Sequence, residues 1–106
     1  MGEMVIACYR PKPGCEADLA KLVREHVPTL RKLGLATPRP ATALRASDGT
    51  LIEIFEWVSA QAVERAHTDP VVGDLWECFM AVSDFITLAD LPGATQPFPH
   101  FAPVEL

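Results

Sequence analysis

ATALRASDGTLIEIFEWV, residues 41–58, is the stretch on which the fold turns. It reads as two strands, Ala41 to Ser47 and Thr50 to Val58, joined at Asp48-Gly49, because both central residues tolerate the positive φ of a tight hairpin turn. A two-residue loop sets Leu44 opposite Glu53 and Thr42 opposite Phe55. One face then carries Thr42, Leu44, Leu51, Glu53, Phe55 and Trp57, and the other carries Ala43, Arg45, Ile52, Ile54 and Glu56. Both faces of the second strand are largely apolar. Such a strand is normally covered on both sides, and a 106-residue chain with two helical segments covers only one. The expectation is that something else covers the second face.

Upstream, Met4 to Arg10 is a short β-prone run ended by Pro11, Pro13 and Gly14. From Glu16 to Leu33, Leu19, Leu22, Val23, Val27, Leu30 and Leu33 recur at helical spacing. Glu16 and Asp18 suit the positive end of that helix, Arg31 and Lys32 the negative end, and Gly34 the position just beyond it. Pro28 removes a donor and crowds the preceding turn, so a kink or interruption is expected near His26. Downstream, Ser59 can cap a short helix through Ala66 or His67. Asp69-Pro70 then starts a second helix, reaching about Ser83 with the stripe Val72, Leu75, Trp76, Phe79 and Val82. Phe85 to Leu88 is a candidate last strand. Residues 93–106 hold Pro97, Pro99 and Pro103 among Phe98, Phe101 and Val104, and read as an extended arm that packs on another subunit. The chain is one domain, residues 1–92, followed by this arm.

Composition narrows the function classes. Hydrophobic residues make up 49% and charged residues 22%, as in a globular protein. No apolar run approaches the roughly 20 residues of a bilayer span. A formal charge of −5 disfavours nucleic acid and anionic membranes as partners. The first residues lack a basic segment followed by an apolar one, so a cytoplasmic location is expected. Cys8, Cys15 and Cys78 form no C-x-x-C, and Cys8 and Cys78 read as small core residues. His26, His67 and His100 lack the spacing of metal ligands, so no metal is expected. Glycine-rich phosphate loops and a G-x-S-x-G elbow are missing, which leaves nucleotide and serine-hydrolase chemistry without support.

The order strand, helix, hairpin, helix, strand is βαββαβ. This is an α+β, ferredoxin-like arrangement with an antiparallel sheet in the order 4-1-3-2 and both helices on one face. Here the residues resemble the antibiotic-biosynthesis-monooxygenase-like members of the dimeric α/β-barrel superfamily. The resemblance lies in Ile54-Phe55-Glu56-Trp57 followed by Ser59, in Ala66-His67-x-x-Pro70, in the Leu75-Trp76 helix, and in Pro13-Gly14 before the first helix. It implies a homodimer in which two sheets pack face to face, each subunit enclosing a small apolar cavity. It also implies cofactor-independent oxygenase or isomerase chemistry on a small aromatic or polyketide-like molecule, or a non-catalytic ligand-binding or stress-response dimer. Some haem-degrading relatives use a helical histidine near the position of His67. The chain departs from the family pattern in having no asparagine.

Glu53, His67 and His26 are the candidate catalytic residues. Glu53 is a carboxylate in mid-strand on an enclosed face, suited to a general base or else to a salt bridge with Arg39 or Arg45. His67 follows from the resemblance, with bonding to helix-end carbonyls as the plainer alternative. His26 lies on the apolar stripe of its helix, either hydrogen-bonded in the core or pointing into the cavity beside Glu53. Tyr9, Phe55, Trp57, Trp76 and Arg39 complete the substrate-binding set, the aromatic members serving equally as core.

Overall fold

The computed structural model describes residues 2–106. The elements run β1 (Glu3–Pro11), α1 (Glu16–Lys32), β2 (Thr42–Arg45), β3 (Leu51–Trp57), α2 (Ala60–Thr68), α3 (Pro70–Val82), β4 (Ser83–Ile86) and β5 (Ala102–Val104), with a 3₁₀ turn at Leu88–Asp90. The strands form one antiparallel sheet in the order β4-β1-β3-β2-β5. The architecture is α+β and compatible with a ferredoxin-like fold.

The sheet order differs from the expected four strands because the C-terminal arm returns to its own subunit. Ala102–Val104 pairs with β2, Ala43 facing Val104. On its way the arm crosses the side of the sheet away from the helices. Leu91, 8% exposed, joins Cys8, Ala46 and Ile52 there, with Leu44, Ile54, Ile86 and Phe101 packed around them. The chain therefore covers part of its second face itself. Met4 and Ile6, at the other end of β1, stay about half exposed.

The hairpin register is shifted by one residue from the two-residue-loop reading. Ala43 lies opposite Glu53 and Leu44 opposite Ile52. The loop has three residues: Ala46 N–H donates to the Thr50 carbonyl, and Gly49 N–H to the Ala46 carbonyl. Gly49 takes φ 89°, the left-handed residue that closes such a loop. The slip turns β2 over, so Ala43 rather than Leu44 faces the helices.

α1 continues through Pro28 without interruption, contrary to one form of the expectation, and the Thr29 hydroxyl bonds the Glu25 carbonyl beside it. Gly34 follows at φ 74°. Ser59 and Asp69 cap α2 and α3 as expected, Ser59 accepting from Ala62 N–H and Asp69 from Val71 and Val72 N–H. β4 begins earlier than expected, at Ser83, whose hydroxyl donates to the Phe79 carbonyl. It ends at Ile86, having paired with only Cys8 to Pro11 of β1.

The helices cover one face. Val27, Leu30, Phe55, Trp57, Ala62, Ala66 and Val72 form one cluster, and Tyr9, Leu19, Val23, Leu51 and Phe79 another. Cys78 is exposed on α3 rather than in the core, Cys8 is buried, and all three thiols are free.

Candidate functional site

The helix-facing rows of β1 and β3 bring Val5 opposite Phe55, Ala7 opposite Glu53 and Tyr9 opposite Leu51. Glu53 thus stands between two alanines, Ala7 on one neighbouring strand and Ala43 on the other. Their small side chains leave room above the carboxylate, and His26 of α1 reaches it from the helical layer. The Tyr9 hydroxyl donates to Glu53 Oε1 at 2.8 Å, and His26 Nδ1 meets the same oxygen at 2.8 Å. On the far side of the ring, Trp76 Nε1 of α3 lies 3.0 Å from His26 Nε2. The four side chains, from β1, β3, α1 and α3, form one chain of hydrogen bonds linking the sheet to the helical layer.

The partners fix the tautomer. An indole N–H only donates, so Nε2 must accept with its lone pair, and the imidazole hydrogen sits on Nδ1. His26 is therefore a neutral ring donating to Glu53, since an imidazolium would set its own N–H against that of Trp76. Phe55 and Phe79 hold the ring edge-on, centroids 5.5 and 5.1 Å away.

Glu53 is wholly buried. A carboxylate removed from water costs several kcal/mol, offset here by two donors on Oε1, each contributing about 1.5–3 kcal/mol when the acceptor is charged. Oε2 has no hydrogen-bond partner among the described residues. Burial, and then the Glu53 charge beside it, push the Tyr9 phenol far above its ordinary value. Tyr9 thus keeps its proton and acts as a donor.

A cavity of about 320 Å³ adjoins this network. Val5, Ala7, Tyr9, Phe55 and Trp57 line it from the sheet, Phe85 from β4, and His26, His67 and Trp76 from the helices. It lies where β4 stops short, beside the part of β1 that β4 leaves unpaired. Its size is at the small end for ligand pockets, and its wall is mainly apolar with a few polar groups, the composition that such pockets share.

Six of the expected site residues line this cavity: Tyr9, His26, Phe55, Trp57, His67 and Trp76. Glu53 lies behind it, in contact with two of them. His67 is exposed, with its ring edge-on to Trp76 at 5.1 Å. Arg39 is not brought to the site. It pairs with Glu56 at 3.2 Å and is largely exposed, so the alternative of a Glu53–Arg39 or Glu53–Arg45 bridge is replaced by the Tyr9 and His26 bonds. The Thr37 hydroxyl and then Arg39 hold the Glu56 carboxyl below its ordinary range. Val5 and Ala7 were not singled out in the sequence. Their signal was their place in the β1 row facing Phe55 and Glu53, which needed the register. Among the described residues no cluster of His, Cys, Asp and Glu is arranged to hold a metal ion, and no helix is long and apolar enough to cross a membrane.

No protein-family model matches the chain, and no curated protein or solved structure is significantly similar to it.

Proposed function

We propose that the chain binds a small, planar, largely apolar molecule bearing a hydroxyl or enol group, and that His26 accepts the hydroxyl proton. The observation that carries this is the neutral imidazole on the wall of an apolar cavity, its Nδ1–H held by a buried carboxylate. In such a pair the carboxylate fixes the ring and compensates the positive charge formed when Nε2 takes up a proton. The proton passes from the ligand oxygen to Nε2, leaving an oxyanion among aromatic side chains. Return of the proton to a carbon of the ligand is isomerisation, and reaction of the anion with dioxygen is oxygenation. These are the two chemistries implied by the resemblance to the monooxygenase-like dimers. Glu53 is a positioning residue in this scheme, and Tyr9 steadies it.

The same reading includes a homodimer. Met4 and Ile6 are 55% and 47% exposed, on the sheet face that the arm leaves bare, and Ile6 also borders the cavity. A second copy seated there removes this apolar surface from water and closes the cavity beside it, in the manner of a dimeric α/β barrel. The free thiols fit a reducing, cytoplasmic setting.

Calorimetric titration with 2-naphthol tests the site. Saturable binding is expected for the wild type and not for Val5→Trp, which fills the cavity. Equal heats from both proteins would place binding elsewhere, and no heat from either would remove the ligand-site reading. Product analysis under air then separates isomerase, oxygenase and simple binding.

A further inference from the structure

Both ring nitrogens of His26, on the cavity wall, are already engaged. Its Nδ1–H is committed to Glu53, and its Nε2 lone pair receives the indole N–H of Trp76 at 3.0 Å. A ligand hydroxyl that donates to Nε2 must therefore displace Trp76. We infer that Trp76 is an internal competitor for the His26 lone pair, so that a ligand O–H or N–H reaches Nε2 only by replacing the indole donor. This rests on the cavity reading above.

The surroundings of Trp76 make the exchange feasible. Its side chain is half-buried on α3, packed against the edge of the core and lining the cavity. His26, by contrast, is 3% exposed and is held on three sides by Glu53, Phe55 and Phe79. The imidazole is the fixed member of the pair and the indole the one with room to move. His67, exposed and making no side-chain hydrogen bond among the described residues, lies edge-on to the indole.

Specificity follows from donor and acceptor arithmetic. A hydroxyl restores a hydrogen bond to Nε2 when the indole leaves. A methyl ether of the same shape offers only an acceptor, so it leaves the lone pair facing another lone pair and gains nothing from displacing Trp76. A site that demands a hydrogen bond discriminates strongly against the analogue that lacks it. Trp76 thus lowers the affinity of donor ligands by competing with them, and is not a catalytic residue.

The test is calorimetric titration of the full chain and of Trp76→Phe with 2-naphthol and with 2-methoxynaphthalene. Phenylalanine keeps an aromatic ring but removes the competing N–H. The expected result is a several-fold gain in 2-naphthol affinity in Trp76→Phe with no gain for the ether, so that the ratio of the two affinities rises at least threefold. A packing role for Trp76 changes both ligands alike, and an unchanged ratio overturns the inference while leaving the cavity reading intact. Failure of both ligands to bind either protein overturns both. Independently of the variant, 2-naphthol added to wild-type protein is expected to shift the Trp76 indole N–H resonance and speed its exchange with solvent. A resonance unmoved at saturation overturns the inference.

Discussion

At the scale of single residues, Glu53 is the most informative position. A lone carboxylate in a run of apolar side chains is costly to bury, and here its charge is held by Tyr9 and His26, while among the described residues no Lys or Arg side chain bonds it. Tyr9→Phe removes one of the two donors and is expected to cost about 1–3 kcal/mol in urea denaturation. The same tyrosine sets an alkaline limit. Its phenol is raised in the folded state, by burial first and then by Glu53, above its ordinary value of 10.0. Folding therefore holds the proton that the unfolded chain releases. That contribution is complete below about pH 10 and is lost as pH rises toward the folded value. Stability measured across that range should fall with a slope that Tyr9→Phe lacks. The carboxylate was legible in the sequence because alternation placed it on the enclosed face. His26 was read beside it as one alternative, but the bonds themselves were not legible, since Tyr9 and His26 lie 44 and 27 residues away and the bond from Trp76 to His26 spans 50. Only the assembled layers bring such groups together.

At the scale of elements, local chemistry explains most boundaries. Ser59 and Asp69 satisfy the first free N–H groups of α2 and α3, and Gly34 follows α1 with positive φ. Those residues announce themselves in sequence because each answers a local requirement. The hairpin shows where this stops. Asp48-Gly49 marks a turn, but two-residue and three-residue loops both use a glycine with positive φ, and the choice reverses which side of β2 faces the helices. Pro28 shows the other failure, a helix whose apolar stripe packs well enough to carry a proline that propensity alone would use to end it. Gly49→Ala isolates the turn. A Cβ there meets nothing closer than Pro11 Cγ at 3.6 Å, so the cost is conformational. About 1–2 kcal/mol of lost stability is expected from thermal or urea unfolding. A loss below about 0.5 kcal/mol would mean that the loop readily adopts another geometry.

At the scale of the whole molecule, the chain divides the work of covering its sheet. Three helices take one side, and Leu91 together with Phe101 of the arm takes part of the other. The arm's proline content and scattered aromatics read in sequence as extended and apolar, whereas residues 92–98 turn and bend and only Ala102–Val104 forms a strand. Composition could not show which sheet edge it joins, because strand pairing is set by the free edge of β2 and not by the arm alone. Met4 and Ile6 remain the uncovered part. On the homodimer reading, sedimentation at micromolar concentration should give twice the mass of one chain, and Ile6→Glu should give one chain of unchanged helical content. A wild-type monomer would remove the dimer while leaving the cavity and its hydrogen bonds untouched.

On this reading the network presents a neutral imidazole acceptor on the cavity wall. Long-range ¹H–¹⁵N correlation spectra of the imidazole rings at neutral pH test it most directly, with His26 assigned by substitution. The expected pattern is a hydrogen on Nδ1 and a lone pair on Nε2, the latter perturbed by saturating 2-naphthol. A ring protonated on both nitrogens, or carrying its hydrogen on Nε2, would contradict the claim.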